Sequence, residues 1–197
     1  MNRHVLLIED DLVMAKGIEQ SILHSTSNNL VTTITTLQQA KSIPSFETFH
    51  HIICTLSLYH CSHYSILKFL HDIKQTYPTI IVTLMHKENE TALLNAVASV
   101  ARIDFLLDKR DAASYEQILS SGSVPAYTCK RDIERAHFLL GLDDSRSQTL
   151  AELARYTSQK AIALDANITN AAISKRISGL VKSAQFPLAK LLLWFRE

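Results

Sequence analysis

Six polar residues stand at the borders of short apolar runs. Glu9, Asp10 and Asp11 follow Val5-Leu6-Leu7-Ile8 directly, Thr55 closes His51-Ile52-Ile53-Cys54, Thr83 falls near the end of the run Thr79–Leu84, and Lys109 comes just past Ile103–Leu107. Acids, a hydroxyl and a lysine brought together could make a magnesium and phosphoryl site, because hard cations take carboxylate oxygens and a lysine neutralises phosphate charge. The hydroxyl of Thr55 is not ionised at pH 7 and cannot form an acyl phosphate as a carboxylate nucleophile does. No metal is expected, and Asp10 and Asp11 are the residues that would hold one. The competing reading is that one of these acids caps the helix that follows, where an acid is favourable. No cofactor and no catalysis are expected.

A second set lies in the segment from Gln159 to Ile177. It reads as helix, tight turn, helix: Ala163 is small where two helices cross, Asn167 tolerates a left-handed turn, Ile168 seals the turn and Thr169 can cap the second helix. Ile173, Ile177 and Leu180 recur at helical spacing and form one core stripe. The other face offers Asn170, Ala171, Ser174, Lys175 and Ser178, short polar groups and one long cation that suit a major groove, with Arg176 and Lys182 placed to reach phosphates.

A third cluster, His50, His51, Cys54, His60, Cys61 and His63, contains metal-ligating residue types. His50 and His51 open a strand that Thr55 ends, on the order of 13 Å or more from the loop with His60, Cys61 and His63. No structural zinc spacing is present. The three cysteines form no CxxC pair, which suits a reducing cytosol.

These residues need elements to hold them. The chain has 197 residues, 47% hydrophobic and 20% charged, enough for one large domain or two small ones. The four glycines, Gly17, Gly122, Gly141 and Gly179, are isolated, so no Gly-rich loop can cradle a phosphate, which excludes the common nucleotide-binding motifs. No apolar run is long enough for a membrane span. Strands are expected at Val5–Ile8, Leu30–Ile34, His51–Thr55, Thr79–Leu84 and Ile103–Leu107. Helices are expected around Leu12–Ile22, Leu37–Ser42, Tyr64–Thr76, Glu90–Val100 and Ala112–Leu119. This alternation predicts an α/β fold, a flavodoxin-like doubly wound five-stranded parallel sheet over residues 1–120.

Ser120–Pro125 reads as a linker, which continues to about residue 130. Beyond it, residues 131–197 predict a small all-α domain, with helices at Arg131–Leu140, Thr149–Tyr156, Ser158–Leu164, Thr169–Val181 and Leu188–Phe195 and the helix-turn-helix at 159–181. Residues 1–127 carry 9 Lys/Arg and 12 Asp/Glu, whereas Arg155 to Arg196 holds 7 basic residues and only Asp165 as an acid. Such a basic end suits nucleic-acid binding. Trp194 and Phe195 are a surplus of apolar surface that could join two subunits.

The opening Val-Leu-Leu-Ile-Glu-Asp-Asp, with Thr83 and Lys109, resembles the receiver domain of two-component response regulators over roughly residues 1–120. That family has its phosphate-accepting aspartate where this chain has Thr55, so the resemblance implies a degenerate receiver that aspartyl phosphorylation does not switch. The spacing from Thr83 to Lys109 is longer than the family's, and the glycine before the fifth strand is missing. The segment Leu150–Leu193 is similar to the LuxR/NarL-type helix-turn-helix output domain, with Ile162-Ala163 and Ile168-Thr169 at its characteristic positions. Together they imply a transcriptional regulator that binds double-stranded DNA, as a homodimer in the cytoplasm. Two other outcomes stay open: an adaptor or anti-activator docking on another regulatory protein, and an antiterminator that binds RNA.

Overall fold

Apolar residues on both faces of every strand mark a sheet covered on both sides. The computed structural model of the chain describes residues 3–25, 29–87, 92–112, 114–126, 129–156, 158–165, 168–184 and 187–196. The strands are β1 (His4–Ile8), β2 (Leu30–Ile34), β3 (His51–Thr55), β4 (Ile81–His86) and β5 (Phe105–Asp108). They form one parallel sheet in the order β2-β1-β3-β4-β5. The first five helices are α1 (Leu12–Ser25), α2 (Leu37–Lys41), α3 (His63–Thr76), α4 (Ala92–Val100) and α5 (Tyr115–Ser121), and a 3-10 turn, Lys109–Asp111, leaves β5. The fold is the expected doubly wound α/β sheet.

Side-chain alternation along the strands divides the core. Val5, Leu7, Ile53, Met85 and Leu107 pack against Ala15, Ile18 and Ile22 of α1 and Tyr115 and Ile118 of α5. Leu6, Ile8, Ile52, Cys54, Val82, Leu84 and Leu106 face Leu67 and Leu70 of α3 and Val97 of α4. Local chemistry sets the helix starts: Thr36 and Gln39 form a capping box on α2, Ser62 caps α3 and Ser114 caps α5.

β4 runs two residues later than its apolar pattern predicts. Lys74 explains where it begins. Its buried ammonium donates to the carbonyls of Pro78 (3.1 Å) and Ile80 (2.8 Å) and to Asp104 (2.9 Å), tying residues 78–80 into a turn. The strand then continues through Met85 and His86, both buried. The expected linker also differs. Ser120 and Ser121 complete α5, and Ser123 makes an antiparallel bridge to Leu106 on the edge strand. Gly122 permits that approach, because a Cβ there would lie 2.9 Å from the Cβ of Phe105.

The remaining helices are α6 (Lys130–Leu140), α7 (Asp144–Arg155), α8 (Gln159–Asp165), α9 (Asn170–Ala184) and α10 (Leu188–Leu192), with a 3-10 turn at Leu193–Phe195. α7 starts five residues before the expected Thr149, because Asp143 caps it at the amide of Arg146. Ala136, Leu139 and Leu140 of α6 join the same apolar cluster as α3 and α4, and Leu150, Leu180, Leu191 and Phe195 extend it. Trp194 and Phe195 are used within the chain rather than left as surplus. Phe195 stacks on Tyr64 at 4.5 Å, and Trp194 meets His63 edge-on at 6.4 Å. Among the described residues no helix is long and apolar enough to cross a membrane.

Candidate functional site

The C-terminal ends of β1, β3 and β5 bring together five of the six residues expected there. Glu9 is fully buried and its Oε1 accepts from Lys109 Nζ at 2.7 Å and from the amide of Asp11 at 2.9 Å. Burial pushes the Glu9 carboxyl up from its ordinary value, and the Lys109 ammonium opposes this. Lys109 is buried as well, so its charge is spent on Glu9 instead of facing an incoming anion. Asp10 Oδ2 accepts from the amide of Tyr59 at 2.6 Å. Asp11 caps α1, with Oδ1 accepting from Met14 and Val13 at 3.1 Å each; these amides hold its carboxyl below the usual carboxylate range. Thr55 is fully buried, and its hydroxyl oxygen has no hydrogen-bond partner among the described residues.

Thr83 does not belong to this group. With β4 shifted, Met85 pairs with Thr55 and Thr83 pairs with Ile53, in the middle of the sheet. The Thr83 hydroxyl instead meets His51 Nε2 at 2.8 Å, and His51 Nδ1 meets the Tyr115 hydroxyl at 3.2 Å. Burial holds the His51 imidazole down at about 4. His51 is therefore a neutral core histidine, and its sheet face is opposite that of Cys54.

The second set lies on α8 and α9. Ile162, Ala163, Ile173 and Ile177 are buried together between these helices. The Ile168 amide donates to the Ala163 carbonyl at 2.9 Å, which closes the connection, and Thr169 Oγ1 accepts from the Ala172 amide at 3.2 Å to start α9. The turn residue Asn167 lies outside the described residues. Thr169, Asn170, Ala171, Ser174, Lys175, Arg176, Ser178 and Lys182 are all exposed. At 3.6 residues per turn, Ala171, Lys175, Ser178 and Lys182 form the line opposite Ile173, Ile177 and Leu180. Ser174 lies on the α8 side, where its hydroxyl donates to Gln159 at 3.0 Å. Arg176 turns toward α7 and, with Lys175 and Arg146, lines a cleft of about 350 Å³. Arg146 was not singled out in the sequence; its place in the first turn of α7 could be found only once the Asp143 cap was recognised.

No family model matches the chain, and no curated protein matches it in sequence. Its fold is similar to that of the two-component response regulator RcsB in a complex with DNA, at 19% identity over 99% of this chain and 98% of that one, with a TM-score of 0.52. A structure of two RcsB dimers bound to two parallel DNAs matches at 20% identity, with the same coverage and a TM-score of 0.50. An RcsB response regulator from Salmonella typhimurium matches at 16% identity, over 98% of this chain and 96% of that one, with a TM-score of 0.50. These likenesses are of fold alone: an α/β sheet domain followed by helices, matched along nearly the whole chain.

Proposed function

We propose that the chain is a DNA-binding transcriptional regulator of response-regulator type that works without aspartyl phosphorylation. The observation that carries the reading is the exposed line Ala171, Lys175, Ser178 and Lys182 on α9, held outward by a buried stripe on the same helix. Such a helix can lie in a major groove while Arg176 and Arg146 meet the backbone beside it. The similar fold of RcsB, solved in complexes with DNA, supports the same reading.

The receiver-like half then acts by contact instead of by phosphoryl chemistry. Thr55 supplies no carboxylate nucleophile, and Lys109 is committed to Glu9. A homodimer in the cytoplasm, reading two half-sites one DNA turn apart, completes the proposal.

Selection of genomic DNA fragments by the untreated protein, with affinities measured at two salt concentrations, tests it. The expected result is a shared, roughly palindromic site and a steep salt dependence. Lys175→Ala should weaken binding and relax selectivity for that site, whereas Arg176→Ala should flatten the salt slope by about one unit, as for loss of one phosphate contact. Weak, sequence-independent binding, or none, would refute the reading and leave the adaptor role in its place.

A further inference from the structure

The cleft between the first turn of α7 and the middle of α9 is lined by three cations, Arg146, Lys175 and Arg176, and by one acid, Asp143. Asp143 keeps its charge and lies 3.5 Å from Arg146 Nε, so it balances that residue. The next acid, Asp144, lines a different groove together with Tyr64, and α9 contains no Asp or Glu from Asn170 to Ala184. Lys175 and Arg176 make no ion pair with a described residue. With every group ionised, three cations less one acid leave the lining with two positive charges in surplus.

Gly179 is the second observation. It is exposed in the middle of α9, where a glycine costs about 1 kcal/mol relative to alanine. A Cβ there would meet nothing within 4 Å, so no packing inside the chain asks for a glycine. It follows Lys175 by four residues and Arg176 by three, and so shares their side of the helix. The missing side chain leaves the backbone of α9 open to a close approach from the cleft. Ser145 and Ser183, also on the lining, are exposed and can donate to an oxygen anion.

Two surplus charges match a phosphate monoester better than a diester. A monoester carries about −1.5 to −2 at pH 7 and offers three acceptor oxygens, whereas each diester of a DNA backbone carries a single charge. The volume, about 350 Å³, is at the lower end of the range of about 300–1,000 Å³ for small-molecule sites, which suits a body the size of one sugar. We propose that this cleft binds small phosphomonoesters, the phosphate held by Lys175 and Arg176 and set against the Gly179 backbone. A bound ester takes up two side chains that the proposed function gives to DNA, so ligand and DNA exclude one another. Only that exclusion rests on the DNA reading; the ligand site does not.

The test titrates the full chain, without DNA and at pH 8, with ribose 5-phosphate and with its methyl ester, the matching diester, by calorimetry. The monoester should bind about fivefold more tightly, the scale of one partly screened charge contact. It should lose that advantage at pH 5, where it too carries one charge. Arg176→Ala should weaken the monoester about fivefold. Gly179→Leu, which fills the cleft and raises helix propensity, should weaken it about tenfold with circular dichroism retained. Lys190→Ala, at an exposed cation of α10 that does not line the cleft, should change nothing. Saturating ribose 5-phosphate should also release the chain from its selected DNA site. Equal binding of the two esters at pH 8, no binding of either, or Lys190→Ala as weak as Arg176→Ala would overturn the ligand site. Undiminished DNA binding by the loaded chain would overturn the exclusion. A chain that binds the ester but no DNA would refute the DNA reading, and the exclusion with it, while upholding the site.

Discussion

Lys109→Met removes the only cation among the described residues that pairs with the buried Glu9. The pair is 2.7 Å apart, with the lysine side chain 5% exposed and the glutamate 0% exposed. At an effective dielectric constant of about 20, two charges at this separation attract by about 6 kcal/mol, a gross figure that desolvation offsets in the intact pair. Removing one partner leaves the other charge buried and uncompensated, which costs about 3–5 kcal/mol. Glu9 keeps one donor, the Asp11 amide, while its Oε2 has no hydrogen-bond partner among the described residues. The carboxyl can escape by taking a proton, since burial already raises its pKa. A carboxyl raised in the folded state costs nothing below its unfolded value near 4.5; stability then falls as pH climbs from there through the folded value. The loss in Lys109→Met should thus be small at pH 5 and reach its full size by pH 8. Urea unfolding followed by circular dichroism at both pH values measures it. With a slope of about 1–3 kcal/mol per molar, the midpoint at pH 8 should drop by at least about 1 M. Glu9→Gln combined with Lys109→Met should recover most of the loss, and it remains informative if the single variant does not fold. A loss under about 1 kcal/mol at pH 8, a loss independent of pH, or a double variant as unstable as the single one would refute the assignment of Lys109 as a structural partner.

Four further outcomes follow from the same geometry. Thr55→Val replaces an orphaned buried hydroxyl with a methyl group of the same shape, and should stabilise the chain by about 1 kcal/mol without changing DNA affinity; a destabilisation above about 2 kcal/mol in urea would show a hidden partner. His51 should titrate near 4 by NMR, against 6.5 in the unfolded chain. Because the folded value is the lower one, its contribution is complete above pH 6.5 and drains away as pH falls toward 4, by on the order of 3 kcal/mol. A midpoint near 6.5 would contradict the buried network with Thr83 and Tyr115. Lys74→Met should cost about 3 kcal/mol, since it leaves the Pro78 and Ile80 carbonyls and Asp104 without their shared donor; unchanged thermal unfolding would rule out its role in setting β4. Phe195→Ala, which empties a 3% exposed position against Tyr64, should destabilise by about 3 kcal/mol and shift Trp194 emission to the red. An unaltered spectrum would mean that the last turn is not docked on α3.

The first three strands were legible because their apolar runs are short and sharply bounded. β4 was misplaced for two reasons with one physical basis. Thr79 has strand propensity but lies in a turn held by Lys74, whose partners in sequence are not its helical neighbours. His86 is polar by type yet buried, so composition alone cannot extend the strand to it. Periodicity located the core stripe of α9, but the start of α7 depended on one capping side chain, Asp143, in a stretch with no apolar rhythm. At the carboxylate cluster the residues were readable and their partners were not. Glu9 and Lys109 are 100 positions apart, and only the closing of the sheet shows that each neutralises the other. The line on α9 needed no such long-range information, since a helix sets its own faces.

The apolar cluster shared by α3, α4 and α6 bears on how the chain can be taken apart. Leu94, Ala96, Val97 and Ala98 of α4 are buried, and the Asn95 side chain accepts from the Ala126 amide just before α6. A fragment ending near residue 120 would bare that helix to water and would tend to self-associate. The two halves are consequently not portable parts. Grafting the basic helices onto another sensor, or swapping the sensor beneath them, requires moving α6 together with the surface that it seals.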